Sequence, residues 1–375
     1  MIAWALLDFA LRNWALISIV ITLAVLVTIP TLILRKYVNI IANIFCDSPV
    51  PLGMDARDYK RIEGELVHFR AFDGHLLTGM WLPANPDRPL RGTIIFAAEL
   101  GSDMYSAARY GAALLDAGYE IFTFDFRGHG QSSDEHGYSP RLWSSDREQA
   151  DMLGAIAFVE DELEQQGRPK AVGLIGVSRG AGAAILGALN VPSVKAIMID
   201  GAFSTDTYLE YLMQRWVSIF AKVRLVYENH PPTFWRFLRW LTLRRASCRM
   251  NCRFPSVRKV IPRLGRMPLL VIHGERDGHI PVAQGQLLYD LAVGPKYLWI
   301  CPGAKHNQAV AVQPRLYAEY SVRFFNQHLA GCAAEDGLEK VGVLTAFAQP
   351  LATPVRVSYQ KYIKPERRSK VESRR

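Results

Sequence analysis

Ser178 lies among small residues whose spacing could make its hydroxyl a nucleophile. The surrounding stretch reads LIGVSRGAGAA, with Gly176 and Gly180 two positions away on either side. The pattern predicts a buried strand before the serine, over residues 171–175, and an alanine-rich helix after it, over residues 180–189. At such a strand-to-helix turn the free N–H groups of the helix favour negative charge on a reacting oxygen. This context favours a nucleophilic serine over a serine in an ordinary turn.

An acid and a base for this serine follow it in the chain. Asp277 lies in HGERDGHIP, after a predicted strand over 268–273, and His306 lies in PGAKHNQ, after a predicted strand over 297–301. Loops at the carboxyl ends of parallel strands gather at one edge of a sheet. We therefore expect a triad in which Ser178 attacks, His306 takes its proton and Asp277 orients His306.

Other residues near these loops are weaker candidates for the same roles. Glu275 is the alternative acid. The alternative bases are His129, His273 and His279, of which His129 follows an early strand and His273 belongs to a strand end. Cys248 and Cys252 are read as ordinary thiols, because no second Cys or His pair lies near them to complete a metal site.

The elements that must position the triad alternate along the chain. Asp73-Gly74 lies between two alternating stretches and predicts a β-hairpin. Further strands are predicted at 93–97, 120–124, 171–175, 194–199, 268–273 and 297–301. Helices are predicted at 105–117, 146–166, 180–189, 283–292 and 315–329. Repeated strand–helix–strand units indicate an α/β fold, a mostly parallel sheet with helices on both faces, and the hairpin makes the sheet mixed.

One interval, residues 203–266, interrupts this alternation with helical patterns and no predicted strand. We interpret it as an inserted helical cap, with Phe203, Tyr208, Tyr211 and Trp216 as candidate inward aromatics. From Arg215 to Arg266 it carries thirteen Arg and Lys residues against one acidic residue, and the segment FWRFLRWLTLRR mixes aromatics with arginines. Such a helix suits an anionic membrane surface. It equally suits a solvated basic helix packed on the core by its aromatics.

The N-terminus contains a charge-free apolar span over residues 14–34, followed by Arg35-Lys36 and preceded by Arg12. Its length can cross a bilayer, and no Ala-x-Ala-type cleavage site follows it, which favours an uncleaved transmembrane anchor over a signal peptide. Arg57, Lys60 and Arg61 add to the positive charge after the span, so the globular part is expected in the cytoplasm.

The chain over residues 65–329 resembles the α/β-hydrolase superfamily, and more closely its bacterial serine hydrolases of the dienelactone-hydrolase and prolyl-oligopeptidase-like kind. The resemblance is carried by DFRGHGQS, GVSRG and HGERDGHIP, with His306 completing the set. It implies an oxyanion hole made by the backbone N–H groups of Arg179 and Leu100. Most relatives have His-Gly where this chain has Ala98-Glu99. Either Glu99 turns away from the site, toward Arg179, or its charge compromises catalysis.

These observations predict a membrane-anchored serine hydrolase that cleaves a carboxylic ester through an acyl-enzyme, without a metal or organic cofactor. A serine peptidase of the prolyl-oligopeptidase-like group would use the same triad on an amide, and an acyltransferase would differ only in what enters after acylation. A third alternative is a non-catalytic interaction protein that kept the fold. The expected substrate is a small-molecule or lipid-like ester, and the sequence does not identify it.

The predicted domain organisation follows from these elements. We expect an anchor over 1–37, a linker over 38–60, a hydrolase core over 61–202 and 267–331, the cap over 203–266, and a flexible basic tail over 332–375.

The five cysteines have no paired spacing, so a disulfide framework is not expected. The charge balance of 44 Arg and Lys against 35 Asp and Glu comes without a nucleic-acid-binding motif, so we expect a membrane partner and no nucleic acid. The sequence leaves the oligomeric state open.

Overall fold

The computed structural model of the chain describes residues 13–47, 63–220 and 230–330, without the side chains of residues 217–220. Its centre is a sheet of eight strands. In chain order these are β1 (Glu65–Arg70), β2 (Leu76–Leu82), β3 (Gly92–Ala97), β4 (Tyr119–Phe124), β5 (Val172–Val177), β6 (Val194–Asp200), β7 (Leu269–Gly274) and β8 (Lys296–Cys301). The predicted hairpin at Asp73-Gly74 joins β1 and β2, and each later strand lies where the sequence predicts one.

The sheet is mixed but mostly parallel, as predicted. Its strand order is β1-β2-β4-β3-β5-β6-β7-β8. The strand β2 runs antiparallel to both β1 and β4, whereas all pairs from β4 across to β8 are parallel. The carboxyl ends of β3, β5, β6, β7 and β8 therefore meet at one edge.

In chain order the helices of the described residues are α1 (Trp14–Asp47), α2 (Ala107–Asp116), α3 (Asp146–Gln165), α4 (Arg179–Gly187), α5 (Thr205–Phe220), α6 (Pro232–Met250), α7 (Val257–Val260), α8 (Val282–Leu291), α9 (Ala309–Val312) and α10 (Pro314–Phe325). Apart from α1 and α6, helices pack on both faces of the sheet through two apolar clusters. One cluster includes buried side chains of α3, α4 and α8. The other includes those of α2 and α10. The inner strands β3 to β7 are buried on both sides, which explains their nearly continuous apolar sequences.

The interval between β6 and β7 contains helices only, within the residues that the structure describes. These are α5, α6 and α7, followed by a short 3₁₀ turn, Ile261–Leu264. The part of this interval over residues 221–229 lies outside the described residues. The absence of a strand here agrees with the predicted interruption of the alternation, while the domain boundaries remain a prediction.

The N-terminal helix is longer than the sequence predicts. The apolar span ends at Leu34, but α1 continues to Asp47. The whole helix has 34 residues and is about 51 Å long at 1.5 Å per residue. Its first half is exposed, and its second half buries Val38 and four further residues: Ile41, Ala42, Phe45 and Cys46. Part of the expected linker is therefore helical, and the rest of it, like the tail over 332–375, lies outside the described residues.

Two compact units divide the chain. One contains α1 together with α6 as far as Arg249, and the other contains the sheet and the remaining helices. Within the first unit, the Arg249 guanidinium donates to Asn43 Oδ1 at 2.8 Å and to Asp47 Oδ1 at 2.6 Å.

Candidate active site

The three residues expected to form a triad lie at the carboxyl ends of three parallel strands. Ser178 directly follows β5, Asp277 lies in the loop after β7, and His306 lies in the loop after β8. The order of these strands in the sheet is β5-β6-β7-β8, so their loops meet at one edge. The structure brings all three side chains together there.

Ser178 occupies a sharp turn with a backbone conformation that L-residues rarely adopt. Its φ and ψ are 51° and −113°, and its N–H donates to the Asp200 carbonyl oxygen at 2.7 Å. A Cβ atom on Gly176 would lie 2.5 Å from the Ala181 Cα, and one on Gly180 would overlap the carbonyl oxygens of Ala97 and Ala98. The two flanking glycines are therefore a steric requirement of this turn. Strain held in this way at a turn is typical of a functional site.

A chain of hydrogen bonds joins the three side chains. Ser178 Oγ lies 2.9 Å from His306 Nε2, and His306 Nδ1 lies 2.6 Å from Asp277 Oδ2. Because an ionised carboxylate only accepts hydrogen bonds, the Nδ1 atom of a neutral His306 carries the proton and Nε2 is free to accept from the serine hydroxyl. This arrangement can remove the Ser178 proton as the oxygen attacks an electrophile.

Asp277 is held in position and kept ionised by its surroundings. Its Oδ1 atom accepts hydrogen bonds from the backbone N–H groups of His279 and Ile280 at 2.9 and 2.8 Å. Burial alone would raise the pKa of Asp277, but hydrogen bonds from His273 and His306 outweigh burial and hold the pKa well below its usual range. The carboxylate can therefore stabilise positive charge on His306 without taking its proton.

The proposed oxyanion hole involves two backbone N–H groups. Arg179 is the first residue of α4, so its N–H has no acceptor within the helix. Leu100 is half-buried in the turn after β3, the strand beside β5. Their roles as donors to a reacting oxygen remain a prediction.

The expected pairing of Glu99 with Arg179 is wrong. The Arg179 guanidinium instead lies 3.3 Å from Glu148 Oε1 on α3, with both side chains fully buried, and 3.1 Å from His129 Nε2. Glu99 is buried elsewhere and accepts a hydrogen bond from the Tyr110 hydroxyl at 3.1 Å. Arg179 already has a buried carboxylate on the neighbouring helix, so a second one is not needed to neutralise it.

Glu99 lies in a buried environment that disfavours its ionised form. Burial raises the pKa of the Glu99 carboxyl, although the Tyr110 hydrogen bond acts in the opposite direction. A carboxyl with a raised pKa keeps its proton over a wider pH range, and a protonated carboxyl would not repel a developing oxyanion. The raised pKa therefore explains how a glutamate can occupy the loop after β3.

The alternative acid and bases have other partners. Glu275 Oε2 accepts from the Gly303 N–H at 2.9 Å. His129 Nδ1 lies 3.1 Å from the Arg127 carbonyl oxygen, and burial together with the charge of Arg179 lowers the pKa of His129 to about 4. The ring of His279 packs edge-on against His306, with 6.0 Å between the centroids.

Two buried groups lie close to the triad, and the sequence predictions missed one of them, Asp200. His273 is predicted as an alternative base, but its Nε2 atom lies 2.9 Å from the Ile280 carbonyl oxygen and 3.4 Å from Asp277 Oδ2, so it lies against the acid. Asp200 at the end of β6 is 1% exposed, and burial raises the pKa of its carboxyl to about 7. The signal for Asp200 was its position at a strand end, directly before Gly201.

An aromatic group lies beside the loop that carries the acid. The Tyr208 hydroxyl donates to the His279 carbonyl oxygen at 2.7 Å. Its ring packs against Phe203, Trp143 and Tyr211 at centroid distances of 5.2, 5.8 and 6.2 Å.

No group of three His, Cys, Asp or Glu side chains among the described residues is placed to hold a metal ion.

Comparisons with known proteins give a family and a fold. Residues 97–320, which include all three triad candidates, match the Alpha/beta hydrolase family. The chain is 25% identical over 265 residues to the uncharacterized protein YfhR of Escherichia coli O157:H7, covering 69% of this chain and 80% of that protein. It is 25% identical over 244 residues to YqkD of Bacillus subtilis (strain 168), covering 62% and 71%. The esterase Pf2001 of Pyrococcus furiosus has a similar fold, with a TM-score of 0.52 and 23% identity over 75% of this chain and 96% of that one.

Proposed function

The chain belongs to the alpha/beta hydrolase family, and from this premise we propose that it is a membrane-anchored serine hydrolase that cleaves a carboxylic ester. The observation that carries the proposal is the pair of hydrogen bonds from Ser178 Oγ to His306 Nε2 and from His306 Nδ1 to Asp277 Oδ2, at 2.9 and 2.6 Å. An aligned pair of this kind is the arrangement that activates a serine hydroxyl.

The proposed reaction has two halves. In the first, Ser178 Oγ attacks the ester carbonyl carbon, and its proton passes to His306 Nε2. The tetrahedral oxyanion accepts hydrogen bonds from the N–H groups of Arg179 and Leu100, and it collapses when His306 returns the proton to the departing alcohol. In the second half, water loses a proton to His306 and attacks the acyl-serine. His306 then returns the proton to Ser178 Oγ as its bond to the acyl group breaks, which releases the carboxylic acid and restores Ser178.

The aromatic group beside the acid loop supports an apolar acyl group in the substrate. Phe203 and Tyr208 are buried, and Tyr208 is held by its hydrogen bond to the backbone of His279. We propose that this aromatic group faces the acyl part of the substrate, because sites lined by aromatic side chains favour apolar ligands. We therefore propose that medium-chain acyl esters react faster than short-chain ones.

The helix α1 supports the membrane part of the proposal. It is long and apolar enough to cross a bilayer, and the most apolar part of it has a mean hydropathy of 2.6 with no residue buried. A signal sequence at an N-terminus passes the same test, so sequencing the N-terminus of the mature protein separates the two. Carbonate extraction tests the anchor, and protease protection in sealed spheroplasts tests the cytoplasmic placement of the hydrolase core.

Ester hydrolysis is tested with the purified full chain on p-nitrophenyl esters of two to twelve acyl carbons, beside peptide p-nitroanilides. We expect turnover of the esters, and its loss in Ser178→Ala and in His306→Ala. The matched control is Ser193→Ala, which removes another buried serine, next to the amino end of β6. Preferred cleavage of the anilides would indicate the serine peptidase, and equal ester turnover by the wild type and Ser178→Ala would contradict the proposal.

A further inference from the structure

The helix α6 presents a face of arginine and aromatic side chains. Five residues at helical spacing are exposed on it: Arg236, Phe237, Trp240, Arg244 and Arg245. We call these five the arginine–aromatic face. Residues on the other side of the helix are buried, namely Trp235, Leu238, Thr242 and Ala246. One side of α6 is thus packed within the protein, and the arginine–aromatic face is exposed.

The aromatic side chains on this face form a continuous apolar surface. Phe237 and Trp240 are 48% and 52% exposed, and their rings stack with 6.0 Å between centroids. The Arg244 guanidinium lies 5.7 Å from the centre of the Trp240 ring. Adjacent exposed rings of this size are typical of a surface that a partner or a membrane covers. Tryptophan and arginine together are typical of the boundary between lipid tails and headgroups.

The charge of α6 has one sign only. The helix reads PTFWRFLRWLTLRRASCRM, which contains arginines and no Asp or Glu. A helix that merely faces water commonly mixes the two signs, because opposite charges at neighbouring turns stabilise it. The uniform positive charge is complementary to a surface of anionic phosphates.

The connection of α6 to α1 favours a membrane as the source of those phosphates. The two helices belong to one compact unit, in which Arg249 donates to Asn43 and Asp47 of α1. Arg35 and Lys36 end the apolar span, and Asn43 follows Arg35 by eight positions, about 12 Å along the helix. The carboxyl end of α6 is therefore held close to the level at which a spanning α1 would leave the bilayer.

We propose that the arginine–aromatic face of α6 binds the headgroups of anionic lipids in the membrane that α1 crosses. The aromatic rings enter the boundary between headgroups and tails, and the three exposed arginines bind lipid phosphates. Each arginine near an anionic surface strengthens binding about fivefold. The inference rests on the anchor in the proposed function and adds a lipid-binding surface that is separate from the triad.

A probe on the same helix tests the inference. Cys248 is exposed, whereas Cys46, Cys252 and Cys301 are buried. Full-length protein with Cys332→Ser is labelled at Cys248 with a fluorophore that responds to polarity, and is reconstituted into phosphatidylcholine vesicles with or without about 30 mol % phosphatidylglycerol, a composition that gives a negative surface potential. We expect a blue shift, and quenching by spin-labelled lipid, that are stronger in the anionic vesicles.

Two triple variants with the same change in net charge test whether the position of the arginines matters. Replacing Arg236, Arg244 and Arg245 by Glu should lower the ratio of lipid-bound to free probe by more than 100-fold, from about fivefold for each arginine lost and a further loss from repulsion. The control replaces exposed arginines outside α6 by Glu, namely Arg88, Arg263 and Arg266. It should behave as the wild type.

The outcomes separate the inference from the anchor. A probe signal equal in both kinds of vesicle, or equal in the two triple variants, would overturn the inference. Carbonate extraction of the same vesicles reports the anchor, and release of the wild type would contradict the anchor alone. If the anchor fails, flotation of the protein with anionic vesicles tests lipid binding by the arginine–aromatic face on its own. Protein that does not float would overturn the lipid-binding inference as well.

Discussion

Replacing Asp277 by Asn should inactivate the protein by changing the proton positions of His306. The backbone N–H groups of His279 and Ile280 lie 2.9 and 2.8 Å from Asp277 Oδ1, and they would hold the oxygen of an asparagine in that place. The amide NH₂ would then face His306 Nδ1, which lies 2.6 Å from Oδ2. An NH₂ group only donates, so Nδ1 must accept and the proton moves to Nε2.

The expected decrease in kcat follows from this change in the tautomer of His306. A His306 that carries its proton on Nε2 cannot accept the proton of Ser178, which lies 2.9 Å away. The carboxylate charge that would stabilise protonated His306 is also lost. We expect kcat to fall by about 10³ to 10⁴, or about 4 to 5.5 kcal/mol in the activation free energy, while KM changes little.

The assay is steady-state hydrolysis of the best p-nitrophenyl ester, with the melting temperature measured on the same preparation. Glu275→Gln is the matched control, because Glu275 is also in the loop after β7 but binds the Gly303 N–H. It should keep kcat within about threefold, since its hydrogen bond lies outside the chain that activates the serine. A folded Asp277→Asn variant that keeps more than a tenth of wild-type kcat would refute the reasoning, as would inactivation by Glu275→Gln.

Three further predictions concern groups around the triad. Arg127→Met should lower the free energy of unfolding in urea by about 3 to 5 kcal/mol, because it leaves the fully buried Asp151 without its charge partner, now 2.5 Å away. Gly180→Ala should lower kcat/KM more than about 100-fold, because its Cβ atom would displace the carbonyl of Ala97 and with it the turn of Ser178. His129 should contribute a loss of stability as the pH drops from 6.5 to about 4, since in that window the unfolded chain protonates His129 and the folded chain does not. Buried carboxyls such as Asp200 act in the opposite direction, so the test is the difference in unfolding free energy between the wild type and His129→Gln, which should change by about 3 kcal/mol at most across the window.

Each of these predictions has a matched control. Arg168→Met removes a partly exposed ion pair with Glu120 and should cost no more than about 1 kcal/mol. Gly278→Ala introduces a Cβ atom with no neighbour within 4 Å and should leave kcat/KM unchanged. His136→Gln changes an exposed histidine and should leave the pH profile as it is. A variant that behaves like its control would contradict the corresponding argument.

The sequence predicted the strands and helices well because each has a short-range signal. Apolar runs and their turns placed β3 to β8 in the right order, and the helix after Ser178 follows from its small residues. Since the strands are parallel, their order alone brought the loops after β5, β7 and β8 to one edge of the sheet. The proximity of the triad candidates could therefore be predicted before any distance was known.

The remaining features depend on contacts between distant parts of the chain. Glu99 was expected to face Arg179, yet it pairs with Tyr110, while Arg179 pairs with Glu148 from a different helix. Which carboxylate reaches Arg179 depends on how α3 packs on α4, and periodicity does not determine that packing. The buried position of Asp200 likewise depends on the register of β6 with β7, in which it lies opposite Ile272.

The length of α1 was underestimated although the sequence contained the signal. We place Arg35-Lys36 at the flank of the apolar span, within the anchor, and a linker from residue 38. The next buried residues, Val38, Ile41 and Ala42, then Phe45 and Cys46, recur at the three- and four-residue spacing of an amphipathic helix. A membrane boundary is not a helix boundary, because the backbone can continue its hydrogen bonds into water.

The most direct test of the account asks whether Ser178 is an activated nucleophile, without assuming a substrate. The purified full chain is treated with a fluorophosphonate probe, and the labelled peptide is identified by mass spectrometry. We expect that one serine, Ser178, is labelled in the wild type, that Ser178→Ala is not labelled, and that His306→Ala reacts at least 100-fold more slowly because the base is lost. Absence of labelling in the folded wild type, or labelling that persists in Ser178→Ala, would contradict it.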